Sequence, residues 1–155
     1  MPLLDKQVVL IVDDSPDNLD VLTNVLMSDY KVVVALNGEQ ALDLAINHIK
    51  PDIILLDILM PDIDGFEVCR QLKSMPKTRS IPVIFISAST EIKTEETGFD
   101  LGAVDYISKP ISPSIVKARV RTHLALADQN RDLLIKVKQR TSELNQTRME
   151  IICKL

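Results

Sequence analysis

Several polar residues stand where apolar runs stop. Val8 to Val12 ends in Asp13-Asp14, Ile53 to Leu56 ends in Asp57, Pro82 to Ile86 ends in Ser87, and the short stretch from Asp105 leads into Lys109-Pro110. Carboxylates gathered at such ends would repel and raise one another's pKa unless a cation joined them. A hard divalent ion with oxygen ligands, Mg2+ foremost, meets that need. Taken singly, Asp13-Asp14 reads as an acidic helix cap, Ser87 as a turn residue and Lys109 as a solvated charge. Their recurrence at matching run ends favours one shared site.

Unbroken aliphatic runs suit strands covered on both faces, as in a parallel sheet between two layers of helices. Asp57 is then at the carboxyl end of a buried strand, in the crevice where open α/β sheets carry their chemistry. Strands are expected over 8–12, 31–35, 53–57, 82–87 and 105–108. Helices are expected between them. Ser15-Pro16-Asp17-Asn18 supplies N-cap chemistry for the first, Asn37 caps the second, Gly65 opens the third and Pro76 stops it. A weaker helix over 91–101 contains Gly98 and closes at Gly102. Five strand–helix repeats predict right-handed crossovers and helices on both faces.

Beyond Pro113 neither Pro nor Gly interrupts the chain to Leu155, so one helix of about 65 Å is expected. Val116, Val120 and Leu124 recur by four, as packing on a sheet requires. From Val120 a heptad seam follows, through Ala127, Leu134, Thr141, Arg148 and Leu155, with His123, Asn130, Val137, Leu144 and Ile151 as the second column.

Composition excludes several classes. With 46% hydrophobic and 26% charged residues over 155 positions, the chain has room for one domain and an appendage. No apolar run approaches the ~20 residues of a membrane span, and no secretory signal opens the chain, so a cytoplasmic protein is expected. Cys69, Cys153, His48 and His123 make no zinc-type spacing, and Cys69 reads as a small buried hydrophobe. A net charge of −4 and the absence of Trp argue against direct nucleic-acid binding.

Asp13-Asp14, Asp57 within Asp57-Ile58-Leu59-Met60-Pro61-Asp62-Ile63-Asp64-Gly65, Ser87-Ala88, Tyr106 and Lys109-Pro110 together resemble the receiver domain of bacterial two-component response regulators, over about residues 7–125. The resemblance implies a flavodoxin-like (CheY-like), doubly wound, five-stranded parallel sheet of order 2-1-3-4-5 with an extended C-terminal helix. That order makes the first and third strands neighbours, so their carboxylates converge at the topological switch point. It further implies that Asp57 is the phosphoacceptor, taking phosphoryl from a sensor histidine kinase. Asp14, Asp57 and the backbone carbonyl of Leu59 would hold Mg2+ directly and Asp13 through water. Lys109, with a cis bond to Pro110, would pair with the phosphoryl group. Ser87 and Tyr106 would be the switch pair. Leu59, two residues after the acceptor, offers no side-chain contact to an attacking water.

The expected organisation is a receiver domain over 1–122 and, over 123–155, an extension of helix 5 forming a coiled-coil linker to an output domain. The receiver would catalyse only its own phosphotransfer and autodephosphorylation. The fourth helix carries Glu91, Glu95, Glu96 and Asp100, whereas residues 109–140 are rich in Lys and Arg. A homodimer through the face of fourth helix, fifth strand and fifth helix (4-5-5), continued by the coiled coil, is therefore expected. The tail from Arg140 to Ile152 is similar to linkers of HD-GYP-type response regulators, which lead into a cyclic-di-GMP phosphodiesterase. A diguanylate cyclase or histidine kinase output is the alternative. A hydrolase using Asp57 on external phosphate esters is disfavoured by Leu59, which stands where haloacid-dehalogenase-like phosphatases carry a second Asp. An unphosphorylated scaffold is disfavoured by the complete set of phosphotransfer residues.

Overall fold

The four aliphatic runs and the short mixed stretch after Val104 become strands: β1 (Val8–Val12), β2 (Lys31–Ala35), β3 (Ile53–Asp57), β4 (Val83–Ser87) and β5 (Asp105–Ser108). They come from a computed structural model that describes residues 6–88 and 92–154, with side chains as far as Arg140 except Ile92, Ile135 and Lys138. All pairings are parallel, in the order β2-β1-β3-β4-β5. This is the expected doubly wound sheet. The central strand β3 and its neighbour β4 are buried at every residue, which is why they read as continuous apolar runs.

Helices cover both faces because successive strand residues point to opposite sides. Leu10, Val12, Ile54, Leu56 and Phe85 pack with α2 (Gly38–Asp43) and α3 (Gly65–Ser74). Val9, Ile11, Ile53, Leu55, Ile84 and Ile86 pack with α1 (Pro16–Leu26) and the first turns of α5 (Pro113–Lys154). α4 (Ile92–Asp100) lies against β4, where a Cβ on Gly98 would stand 2.9 Å from the Phe85 ring. Val116, Val120 and Leu124 are buried, each contributing about 1.5–3 kcal/mol to holding α5 on the sheet. Cys69 is a buried hydrophobe as expected, and burial pushes its thiol pKa up.

Three local features differ from the sequence reading. Ser15 occupies the N-cap position of α1 but makes no side-chain cap bond; the Asp13 carboxylate instead accepts the Ser15 backbone N–H at 2.9 Å. The last turn of α2 widens into a π-helical turn, Leu44–His48, closed by Ile49 N–H to the Leu44 carbonyl. His123 does not serve the seam: its Nε2 lies 2.8 Å from Asp105 Oδ2 on β5. Asn37 and Asp64 do cap α2 and α3, accepting from Gln40 and Glu67 N–H.

The chain divides into two compact units, Met1–Leu124 and Ala125–Leu155. In the second, Leu126, Leu133, Leu134 and Val137 are exposed. The seam side chains of Thr141, Leu144, Arg148 and Ile151 lie outside the described residues, as do Leu155, Glu91 and the chain's first five residues. Among the described residues no helix is long and apolar enough to cross a membrane.

Candidate functional site

β1 and β3 run side by side with Val12 in register with Leu56, so Asp13 and Asp57 emerge together at one end of the sheet. One carboxylate oxygen from each of Asp13, Asp14 and Asp57 lies within 4.8 Å of the others. Asp13 and Asp57 are buried and Asp14 is exposed. Lys109 reaches in from the end of β5: its Nζ is 3.3 Å from Asp13 Oδ2 and 3.5 Å from Asp57 Oδ1. The lysine is seated by its backbone N–H, which donates to the Ser87 carbonyl at 2.8 Å, and the Lys109-Pro110 peptide is cis, as expected.

Ser87 ends β4 fully buried, one position past Ile86, the register partner of Asp57. Tyr106 pairs with Phe85 across β4 and β5, so Ser87 and Tyr106 face the same side of the sheet. The Tyr106 ring is partly buried there against the α2–α3 core. Leu59 behaves differently. Its backbone N–H donates to the Asp57 carboxylate, while its side chain is 66% exposed beside the site.

The loop from Ile58 to Asp64 closes tightly over the end of β3. Gly65 N–H donates to the Ile58 carbonyl at 2.8 Å, and a Cβ at Gly65 would stand 2.3 Å from the Asp57 carbonyl oxygen. Gly65 is thus required by close approach of α3 to the backbone of Asp57. The sequence reading took it only as a helix start; the available signal was a glycine where a better helix former is normally found.

Electrostatics follow from this crowding. Burial first, and the charge of Asp13 second, push the Asp57 carboxyl up to about 6, against the pull of Lys109 and the Leu59 N–H. One ammonium among three carboxylates leaves net negative charge in a partly buried crevice. The donor set is entirely oxygen, two of the three carboxylates are buried, and their oxygens are close enough to share one ion. These residues fit a hard divalent cation such as Mg2+. What the arrangement offers chemically is a carboxylate nucleophile, a fixed cation beside it and an anionic pocket for a metal.

Known proteins share this sequence pattern and fold. The model of one protein family, described as the response regulator receiver domain, matches residues 9–121. A probable cyclic di-GMP phosphodiesterase of Vibrio cholerae is 39% identical over 156 residues, covering 96% of this chain and 35% of that protein. RpaA of Synechocystis, a DNA-binding dual master transcriptional regulator, is 38% identical over 122 residues, covering 78% of this chain and 50% of that protein. The crystal structure of a response regulator from Chloroflexus aurantiacus superposes with a TM-score of 0.74 at 34% identity, covering 78% of this chain and 99% of that one. The chain therefore spans about a third to a half of the length of these curated relatives.

Proposed function

This chain belongs to the response regulator receiver domain family, and from that premise we propose that it is a phosphoacceptor switch whose acceptor is Asp57. A carboxylate oxygen of Asp57 attacks the phosphorus of a phosphohistidine on a sensor kinase, the P–N bond breaks, and an aspartyl phosphate results. The observation that carries this reading is the convergence of Asp13, Asp14, Asp57 and Lys109 at one strand end.

Asp13, Asp14 and Asp57, with the Leu59 backbone carbonyl, are the residues to hold Mg2+. When bound, the ion supplies charge neutralisation for the phosphoryl oxygens. The chain's own groups do the rest. Lys109 approaches Asp57 from β5, where it can balance charge on the transferring group. The Leu59 N–H orients the Asp57 carboxylate. Ser87, sealed at the end of β4, donates its hydroxyl to the incoming phosphoryl oxygen, and Tyr106 on the same face of the sheet repacks in response. A hydrogen bond to a charged group is worth ~1.5–3 kcal/mol, whereas inverting a two-state population from 1:99 to 99:1 needs ~5.5 kcal/mol. Ser87 must therefore share the work with Lys109 and the metal.

Residues 1–122 form the receiver in this reading, and 123–155 a coiled-coil linker through which a homodimer drives a further output domain. The output is a cyclic-di-GMP phosphodiesterase. Support comes from the extent of likeness: the match to the Vibrio protein covers 96% of this chain and so runs into α5 beyond Leu124, whereas the match to the DNA-binding regulator covers 78%. The acidic α4 and basic α5 supply complementary charge for the 4-5-5 face of the dimer, and the protein works in the cytoplasm without touching nucleic acid itself.

Intact mass after incubation with acetyl phosphate tests the acceptor. One phosphoryl group is expected on the wild type, dependent on Mg2+ and absent from Asp57→Asn. A phosphorylated Asp57→Asn chain would move the acceptor elsewhere. If the wild type gains no mass and binds no beryllofluoride, the receiver chemistry is wrong.

A further inference from the structure

We propose that Asp105 is a clasp coupling the switch strand β5 to the root of helix α5, so that a change at Tyr106 reaches α5 through this one carboxylate. The inference rests on the reading of Tyr106 given above and adds the residue through which that switch acts.

Asp105 stands immediately before Tyr106, and its Oδ1 accepts the backbone N–H of Tyr106 at 2.8 Å. The same oxygen takes Arg119 Nη1 at 2.6 Å, and the other oxygen lies 2.8 Å from His123 Nε2. Arg119 and His123 are one helical turn apart, which brings both onto a single partner. The side chains of Asp105 and His123 are 15% and 14% exposed, so their contact is poorly screened by solvent, unlike the Arg119 end at 45%. Burial works against ionisation of Asp105, yet its bonds to Arg119, His123 and the Tyr106 N–H hold the carboxyl below the usual carboxylate range. The clasp is thus charged, and both oxygens of the carboxylate are engaged.

Position gives the clasp its consequence. His123 precedes Leu124, the last α5 side chain buried in the core among the described residues. Val116, Val120 and Leu124 already hold α5 to the sheet by burial, so three polar bonds on one carboxylate are more than that packing needs. They do something packing does not. The N–H that Asp105 accepts belongs to Tyr106 itself, so any change in the β5 backbone there alters the orientation of the carboxylate and hence its hold on Arg119 and His123. Apolar contacts are non-directional and would not register such a change; hydrogen bonds weaken steeply with misalignment.

Hydrogen exchange along α5 of the whole chain tests this, with and without beryllofluoride and Mg2+, in wild type, Asp105→Asn, His123→Leu and His123→Gln. In the wild type, protection over residues 119–124 is expected to differ between the two states. In Asp105→Asn and His123→Leu, beryllofluoride still binds but the difference is at least halved. His123→Gln, which keeps a donor for Oδ2, restores it. A merely structural role would speed exchange in both states alike and leave the difference unchanged, and that outcome overturns the clasp. So does a His123→Gln chain no better than His123→Leu. A wild type that fails to bind beryllofluoride would instead sink the receiver reading, and the clasp with it.

Discussion

The ammonium of Lys109 stands 3.5 Å from Oδ1 of Asp57 and 3.3 Å from Oδ2 of Asp13, so one cation serves two buried carboxylates of different strands. The role proposed for it in phosphotransfer follows from its charge. Lys109→Met retains the apolar stem and removes the charge. Losing one preorganised group that neutralises developing charge typically costs ~100- to 1,000-fold in rate. The rate of Mg2+-dependent phosphorylation of Asp57, followed by mass, is expected to fall by about that factor. An unchanged rate would mean that Lys109 serves only to seat the carboxylates.

The crowding that raises Asp57 has a sign that stability can report. Its carboxyl titrates near 6 in the folded chain, from burial and then from Asp13, against ~3.9 unfolded. A raised folded pKa stabilises the protein fully below the unfolded value, and the stabilisation is lost as pH rises through about 6. In metal-free buffer the wild type should therefore lose roughly 1–3 kcal/mol between about pH 4 and pH 7.5 relative to Asp57→Asn, which lacks this titration. Denaturant unfolding of both chains across that range measures it. Parallel curves would show that the carboxyl is not raised.

Mg2+ should reverse that loss. A ligand that binds only the folded chain stabilises it by ~2.7 kcal/mol at a hundredfold excess over its dissociation constant. Thermal unfolding at pH 7.5 is expected to rise by several degrees with Mg2+. Asp14 provides the control, because it is the exposed member of the cluster. Asp14→Ala should change metal-free stability by no more than ~0.5 kcal/mol, as surface substitutions do, yet abolish the rise. Retention of the full rise would exclude Asp14 as a ligand.

Gly65 ties the site to the fold. A methyl group there would meet the Asp57 carbonyl oxygen at 2.3 Å, a backbone atom that cannot step aside. Gly65→Ala should cost about 2–4 kcal/mol, above the usual range for a helix position where Ala is favoured. Asp57 chemistry should suffer with it. If urea unfolding shows Gly65→Ala at wild-type stability or better, the close approach of α3 to β3 is wrong.

The ends of β1, β3 and β4 were legible because each depends on a local pattern: an aliphatic run buried on both faces, then a polar residue. That pattern located Asp13, Asp57 and Ser87; Lys109 follows the mixed, partly buried stretch Asp105–Ser108, and the strand order that gathers all four came from the family resemblance, not from the pattern. What escaped the sequence was set by packing between elements distant in the chain. The acceptor of the Ser15 N–H is Asp13, whose other carboxylate oxygen takes Lys109 from the far edge of the sheet. His123 fits a heptad column by spacing alone, but β5 brings Asp105 within 2.8 Å of it, a contact between residues 18 apart in sequence. Gly65 announces a helix start; the need for it arises only once α3 lies on β3. The π-helical turn at Leu44–His48 carries no Gly or Pro to mark it.

Leu59 bears on how long a phosphoryl group would persist. Its side chain is 66% exposed beside Asp57, close enough that its own backbone N–H bonds the Asp57 carboxylate, and it offers no polar atom to a water attacking there. Hydrolysis would then rely on unassisted water. Leu59→Asn places an amide at the same point. One hydrogen bond worth ~1.4 kcal/mol more in the transition state than in the ground state is a tenfold acceleration. The half-life of the aspartyl phosphate, measured by mass after removal of acetyl phosphate, is expected to shorten by about tenfold in Leu59→Asn and to remain near wild type in the isosteric Leu59→Met. Equal half-lives in wild type and Leu59→Asn would show that residue 59 does not bear on the hydrolysis.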